Sequence, residues 1–350
     1  MDNITHTLVG VTLVRAGLGR AQPGATAAMV LASNFPDVDI VTAVTGGAVP
    51  YLAAHRGITH GPLGVVVLAG VAALLVAGWQ RARGRRPGWS AVGALALIAL
   101  AGTFLHVLMD LPTSYGTRVL TPFDNTWFAL DWLPIIDIYV WSLLVLGLLA
   151  TWLSPGRRTG IARLVLVGIA ANYVVRASAH HTALAVAATT RADGSAAPCA
   201  SAPVLTRHPQ LIVAQRAGPS DCLQAAALPT FFSPFTWRLI RQQANGYELR
   251  DIRLGRGTIS PSVFLPSESD RWVAEARATR TARVFLNFSR MPATRSAVLP
   301  DGGHRVRFMD VRFVGTPGAA LKRDPQASRP FAVTVDIAPD GAVRSERLGN

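Results

Sequence analysis

Four apolar runs in the first 180 residues constrain this chain more than any other feature. Pro62–Trp79, Ser90–Met109, Leu133–Leu153 and Ile161–Ser178 each approach the roughly 20 residues that a helix needs to cross a bilayer. Arg81, Arg83, Arg85 and Arg86 lie between the first two runs, and Arg157, Arg158 and Arg163 lie between or at the start of the last two. Basic loops favour the cytoplasmic side. The two clusters are two spans apart, so they fall on one side together. His60, the Met109–Leu133 loop and everything after about His180 are then expected on the opposite side.

Before these runs, Ile4–Leu18 and Ala25–Ser33 are apolar but short, separated by the turn residues Gly19–Gly24. They read as a helical hairpin, spanning or re-entrant, whose open ends bring His6 near Asn34, Asp37 and Asp39. The N-terminus lacks a basic region and a small-residue cleavage site, so no cleavable signal peptide is expected.

Composition divides the chain. Only 15% of its 350 residues are charged, against about 25% in soluble domains, and the deficit falls on residues 1–190. The net charge of +14 raises nucleic acid or anionic lipid as a partner. Lys322 is the only lysine, and the arginines scatter through the polar half or collect in short loops. Nucleic acid is the less expected partner, and the loop arginines read as topology signals. Residues 191–203 read as a linker, and 204–350 as a β-rich soluble accessory domain. Arg283–Phe288, His304–Val314 and Pro330–Ile337 alternate as half-buried strands do, and Phe231–Arg241 is a further candidate. Asp301-Gly302-Gly303, Asp340-Gly341 and Asn245-Gly246 supply turns. Cys199 and Cys222 can pair if this half lies outside the cytoplasm; as two free thiols they are equally compatible with the sequence alone. The expected fold is an α-helical membrane bundle of four spans plus an N-terminal hairpin (1–190), followed by a small β-rich extracytoplasmic domain.

The chemistry concentrates at one end of the bundle. His106 and Asp110 are four apart and share a helix face, a spacing that lets one rigid element offer two ligands to one metal ion. His55 and His60 are five apart, about 140° on a continuous helix, so His55 is expected on a loop that turns at Gly57. Asp37 and Asp39 follow Pro36, which favours an extended approach. Taken singly, Asp39 suits a helix cap and His6 a packing role. Ionisable groups at membrane depth are costly unless paired or metal-bound, and the convergence of His55, His60, His106 and Asp110 favours the metal. His180 and His181 suit an interfacial position, while His208 and His304 have no ligand-like neighbours.

The sequence also resembles the YdjM-type family of bacterial inner-membrane metal-dependent hydrolases, described as LexA-binding. The resemblance is carried by Thr5-His6, Pro36-Asp37-Val38-Asp39 and His55-Arg56-Gly57-Ile58-Thr59-His60. It continues through His106-Val107-Leu108-Met109-Asp110, Thr113-Ser114-Tyr115-Gly116 and Pro122-Phe123, over roughly residues 1–180. The family's usual HRxxTHS ends here in Gly61 where a Ser is common, which argues against a catalytic hydroxyl at that position. The resemblance implies a metal site drawn from His6, Asp37, Asp39, His55, His60, His106 and Asp110, holding one or two divalent ions, with zinc favoured. Asp37 or Asp39 is then a proton acceptor and Arg56 a partner for an anionic substrate group. Membrane lipid is the expected surrounding, and an ester or phosphoester, with a lipid-linked one among the candidates, the expected substrate. The rival reading is a non-catalytic metal-binding scaffold or sensor with an extracytoplasmic interaction domain. A transporter fits less well, because the ligands gather at one end.

Overall fold

The computed structural model describes residues 1–191, 194–196, 198–199, 222–315 and 331–349. Most of the expected linker and His208 lie outside these. The described chain forms two compact units, one of Met1–Ile40, His55–Ser178 and Phe231–Pro234, the other of Val41–Ala54, Ala179–Thr230 and Phe235–Asn350.

The first unit begins with the expected hairpin, α1 (Asn3–Ala16) and α2 (Ala25–Ala32). Asn34 Nδ2 donates to Thr7 Oγ1 at 2.9 Å and ties its open end. A 3-10 turn over Phe35–Ile40 follows in place of the extended approach expected after Pro36. Proline fits the first turn of a helix, where its missing N–H has no partner to lose. In the second unit, the short helices α3 (Val41–Gly46) and α4 (Ala48–Ala54) come next, and α4 packs on a later helix of that unit.

The long helices α5 (Pro62–Ala82) and α6 (Trp89–Asp110) hold 21 and 22 residues, about 31 to 33 Å at 1.5 Å per residue, enough to cross a bilayer. Small residues let α2 approach both. Ala28 and Ala32 are fully buried, as are Ala72 and Ala77 of α5 and Leu95 and Ala99 of α6. Close packing of small side chains is the usual means of association within lipid.

The third expected span is shorter than the sequence suggests. α7 (Ile138–Leu153) has 16 residues, about 24 Å, because Asp137 stops it: its carboxylate accepts from the N–H groups of Tyr139 and Val140. Residues 133–137 belong to the preceding loop. The described residues therefore show three helices long and apolar enough to span: α5, α6 and the one containing α8 (Arg158–Thr189). Residues 25–32 and 35–46 are apolar enough together but bend by 46°, as a broken span or re-entrant loop does.

In the second unit, β1 (Cys222–Pro229), β2 (Thr236–Gln243), β3 (Gly246–Arg253), β4 (Gly257–Thr258) and β5 (Val263–Pro266) form an antiparallel sheet. Its order is β1-β2-β3-β4, with β5 also on β3. Ala225, Ala227, Trp237 and Leu239 pack against Ala179, Ala183 and Ala187 at the end of α8. The other face, including Ala226, Leu228 and Ile240, joins the core shared with the second sheet. With both faces covered, β1 carries an unbroken small apolar run and shows no alternation in the sequence.

Two helices follow, α9 (Arg271–Arg277) and α10 (Arg280–Phe288). Arg283–Phe288 is thus helical rather than the expected strand. Thr279 caps α10 by accepting from Ala282 N–H, and the buried residues Thr281, Ala282, Phe285 and Phe288 keep a helical period. α4 packs on this helix. The second sheet is a meander of β6 (Pro292–Val298), β7 (His304–Asp310), β8 (Ala332–Ile337) and β9 (Val343–Leu348). The Asp301–Gly303 and Asp340-Gly341 turns join its neighbours as expected, whereas β7 ends early in a 3-10 turn capped by Asp310. Cys199 and Cys222 form a disulfide with Cα atoms 5.0 Å apart.

Asp137 also faces Arg176 of α8, Nε to Oδ2 2.5 Å, with both side chains fully buried. Removing one partner of a buried pair costs about 3–5 kcal/mol. Asp137→Asn keeps a cap but leaves the guanidinium without its counter-charge, so it should clearly lower the thermal unfolding midpoint of the full chain in detergent. Asp137→Asn with Arg176→Met should recover most of that loss. Equal midpoints for the single variant and the parent would remove the pair's assigned role.

Candidate metal centre

Three separate stretches of the first unit meet at one end of α5 and α6. The close approach of α6 to α2 sets the first: a side chain at Gly102 would press on Ala32 Cβ at 2.9 Å. One turn further along α6, His106 Nδ1 reaches the carbonyl of Ser33 at 2.7 Å. A carbonyl only accepts, so Nδ1 carries the proton and Nε2 presents its lone pair. Asp110, one turn on again, shares that face as the spacing predicts.

His60 ends the 3-10 turn Ile58–His60, just before Pro62 opens α5. Thr59 Oγ1 lies 3.0 Å from His60 Nδ1 and 3.3 Å from Asp39 Oδ2. The hydroxyl has one proton to give, and the carboxylate can only accept it. His60 Nδ1–H therefore donates to Thr59, and His60 Nε2 also presents a lone pair. Burial, and next the neighbouring His106 and Arg56, push the His60 imidazole well below its ordinary pKa, which keeps it in the neutral, ligating form. Gly61 is required at the next position, since any side chain there would collide with the backbone carbonyl of Thr121. The serine common in the resembling family has no room in this loop arrangement.

The two lone pairs face each other at 3.2 Å. Asp37 Oδ1 lies 3.6 Å from each of these nitrogens, and Asp110 Oδ2 lies 3.4 Å from each. All four atoms fall within 4.8 Å of one another. Four ligands at the 2.0–2.1 Å of zinc–nitrogen and zinc–oxygen bonds define a tetrahedron with edges of about 3.3 Å. Asp37 Oδ1 and Asp110 Oδ2 are buried without a hydrogen-bond partner, a costly state that a bound cation relieves. The donor set and its spacing fit a divalent metal ion.

The other candidates surround this cluster. Asp39 turns away from it and organises the loop: it accepts from Arg56 N–H at 2.9 Å and lies 2.9 Å from His55 Nδ1. That bond holds Arg56 at φ 51°, a conformation side-chain-bearing residues rarely adopt. His55 sits in the turn after α4 and forms a second group with Asp37 and Asp39. His6 stacks on His106, with ring centroids 3.8 Å apart, and lies 3.4 Å from Asp110 Oδ1; it belongs to neither group. Arg56 Nη2 donates to Asp110 Oδ1 at 3.1 Å, and Nη1 to Gly116 O at 3.1 Å. This guanidinium is thus engaged by the site itself, and the amino group of Met1 also contacts Asp110 Oδ1. Sequence spacing did not reveal the contributions of Ser33, Thr59 and the Thr113–Thr117 loop. They act through a carbonyl, a hydroxyl relay and a cradle for Arg56, none of which leaves a periodic trace.

The family described as YdjM inner membrane protein matches residues 1–183, which include every residue of this cluster. A protein of Bacillus subtilis (strain 168), described as "Uncharacterized protein YfhP", is 30% identical over 190 residues, 50% of this chain and 54% of that protein. The chain thus spans about half the length of this relative. No solved structure matches.

The Asp39–Thr59–His60 relay has a measurable consequence. Partners that orient a ligating histidine are worth about 10- to 100-fold in metal affinity. Thr59→Val should weaken Zn²⁺ binding by that factor in chelator-competition titrations, with the helical content unchanged. An unaltered affinity would show that the hydroxyl does not set the His60 tautomer.

Proposed function

The chain belongs to the YdjM inner membrane protein family, and from that premise we propose that it is a multi-pass membrane hydrolase working with a His/Asp-held divalent metal ion, zinc by preference. The observation that carries this reading is the clustering of His60 Nε2, His106 Nε2, Asp37 Oδ1 and Asp110 Oδ2 within 4.8 Å, five of their six separations lying between 3.2 and 3.6 Å. Mixed nitrogen and oxygen donors in four-fold array suit zinc better than magnesium or calcium, which favour more numerous oxygen ligands. Three of the four side chains are fully buried, whereas Asp37 keeps 13% of its surface. With four protein donors in place, a reacting water would enter as a fifth ligand, and the Asp37 carboxylate is the one partly exposed side chain of the four.

A zinc ion held there would lower the pKa of a bound water toward about 7 and polarise an ester or phosphoester oxygen. His60, His106, Asp37 and Asp110 hold the ion. Arg56 and His6 fix Asp110 and His106 from behind. His55 directs Nδ1 at the Asp39 carboxylate, an arrangement that fixes its tautomer and makes Nε2 the proton-accepting nitrogen. Asp39 and His55 thus work as a base pair beside the ion, Asp39 through His55. In this reading the site and the β-rich domain lie on the extracytoplasmic side. The arginine clusters at the other ends of the helices support that placement, as does the Cys199–Cys222 disulfide, a bond that persists in oxidising compartments.

Metal analysis of the purified full chain should find one zinc ion per chain, lost in His106→Ala and Asp110→Ala. His55→Ala should keep the ion but lose at least about 100-fold in hydrolysis of a panel of p-nitrophenyl esters and phosphoesters, the scale of a lost general base. Two ions per chain would reassign Asp39 and His55 as ligands. A metal-free wild type would sink the proposal, and a metal-loaded protein inert toward the panel would favour the scaffold.

A further inference from the structure

Two apolar grooves of similar size lie among the apolar helices of the first unit. One, of about 630 Å³, lies between α7 and α8 and is lined by residues such as Leu146 and Leu164. The other, of about 700 Å³, lies between α5 and α6. Its walls include Leu97, Ala101, Phe104 and Leu108 of α6 and Val66 of α5, and its one polar lining residue is His60. Of the two, only the second has a member of the metal cluster in its wall, His60, whose side chain is itself buried behind the groove.

The dimensions fit a lipid. From Leu97 to Leu108 is eleven residues of helix, about 16 Å at 1.5 Å per residue, close to half of the roughly 30 Å hydrocarbon core. His60 stands at the head end of this path, where α5 begins and α6 ends. An acyl chain from one leaflet, laid along the groove, would bring the polar group at its head to the cluster. Leu97 and Phe104 are 70% and 59% exposed, so within a bilayer hydrocarbon chains are what cover them.

We infer that the groove between α5 and α6 is the acyl-chain site of the hydrolase's substrate, a bilayer lipid whose ester or phosphoester head the groove brings to the level of His60, at the edge of the metal cluster. This rests on the metal-dependent reading above and names its substrate class. Lipid specificity follows from the groove and bond cleavage from the cluster, so the two are separable by substitution. Ala101→Trp fills the groove from the outer face of α6 without touching a ligand.

The test uses the full chain in vesicles of phosphatidylethanolamine and phosphatidylglycerol containing a phosphatidic acid with a photoactivatable acyl chain. Crosslinks mapped by mass spectrometry should fall on Leu97, Phe104 and Leu108 several-fold more than on Leu146 and Leu164. Ala101→Trp should cut them several-fold with zinc content unchanged; should that variant not fold, Leu97→Trp at the exposed rim serves instead. Equal labelling of the two grooves, or labelling unchanged by a groove-filling variant that folds, would overturn the inference. Selective labelling of a wild type that takes up no metal would uphold the lipid groove and overturn the hydrolase reading alone.

Discussion

Two imidazole nitrogens pointing their lone pairs at one another at 3.2 Å are the constraint around which the first unit is built. In water such a pair would drift apart or take up a proton. Here each ring is fixed by a bond to its far nitrogen, His106 by the Ser33 carbonyl and His60 by Thr59, and both are buried among apolar helices. Two carboxylate oxygens complete the array without hydrogen-bond partners of their own. Burying four such groups is expensive in lipid, and the cost falls when one divalent cation serves them all. Arg56 lessens it further by placing a fixed positive charge against Asp110.

Holding the array takes backbone proximity more than side-chain bulk. The alanines of α2 and α5 and Gly102 of α6 let three helices approach closely enough for a ring on one to reach a carbonyl on another. Gly61 and Gly64 do the same for the loops: a side chain at either would strike backbone, of Thr121 in one case and of Ile58 and Thr59 in the other. The same small residues that make this half of the chain look featureless in composition are what make its site possible.

That explains which parts were legible in the sequence. His106 and Asp110 are four residues apart on one helix, a local relation that periodicity transmits faithfully. The hairpin ends were legible too, since a turn of known length returns the chain to its start. The division of labour between Asp37 and Asp39 was not, because it depends on which carboxylate the 55–60 turn reaches across space. Elsewhere, errors followed from short windows. RVFLNF alternates well enough for a strand, and only the Thr279 cap with the longer buried series reveals α10. Leu133–Leu153 is apolar enough for a span, yet one buried aspartate at 137 caps the helix and shortens it. β1 showed no alternation because both its faces are covered. The disulfide was open on sequence grounds, since two cysteines 23 residues apart are compatible with either state until the backbone brings them together.

α6 shows how a single helix can serve chemistry and membrane at once. Leu95, Ile98, Ala99, Gly102, Thr103, His106 and Asp110 are buried on its inner side, advancing by three or four residues from apolar packing to ligands. Leu97, Ala101, Phe104 and Leu108 advance by the same steps on its outer side and form the wall of the groove. The helical period keeps the two series apart along the length of the span, yet both end at the level of His60. On the proposed reading, a lipid following the outer series and an ion held by the inner one would meet at one depth. A soluble enzyme must enclose its substrate to hold it against such a site. If the proposed substrate is right, the bilayer supplies the hydrocarbon, and the protein contributes one groove wall and the ligands at its end.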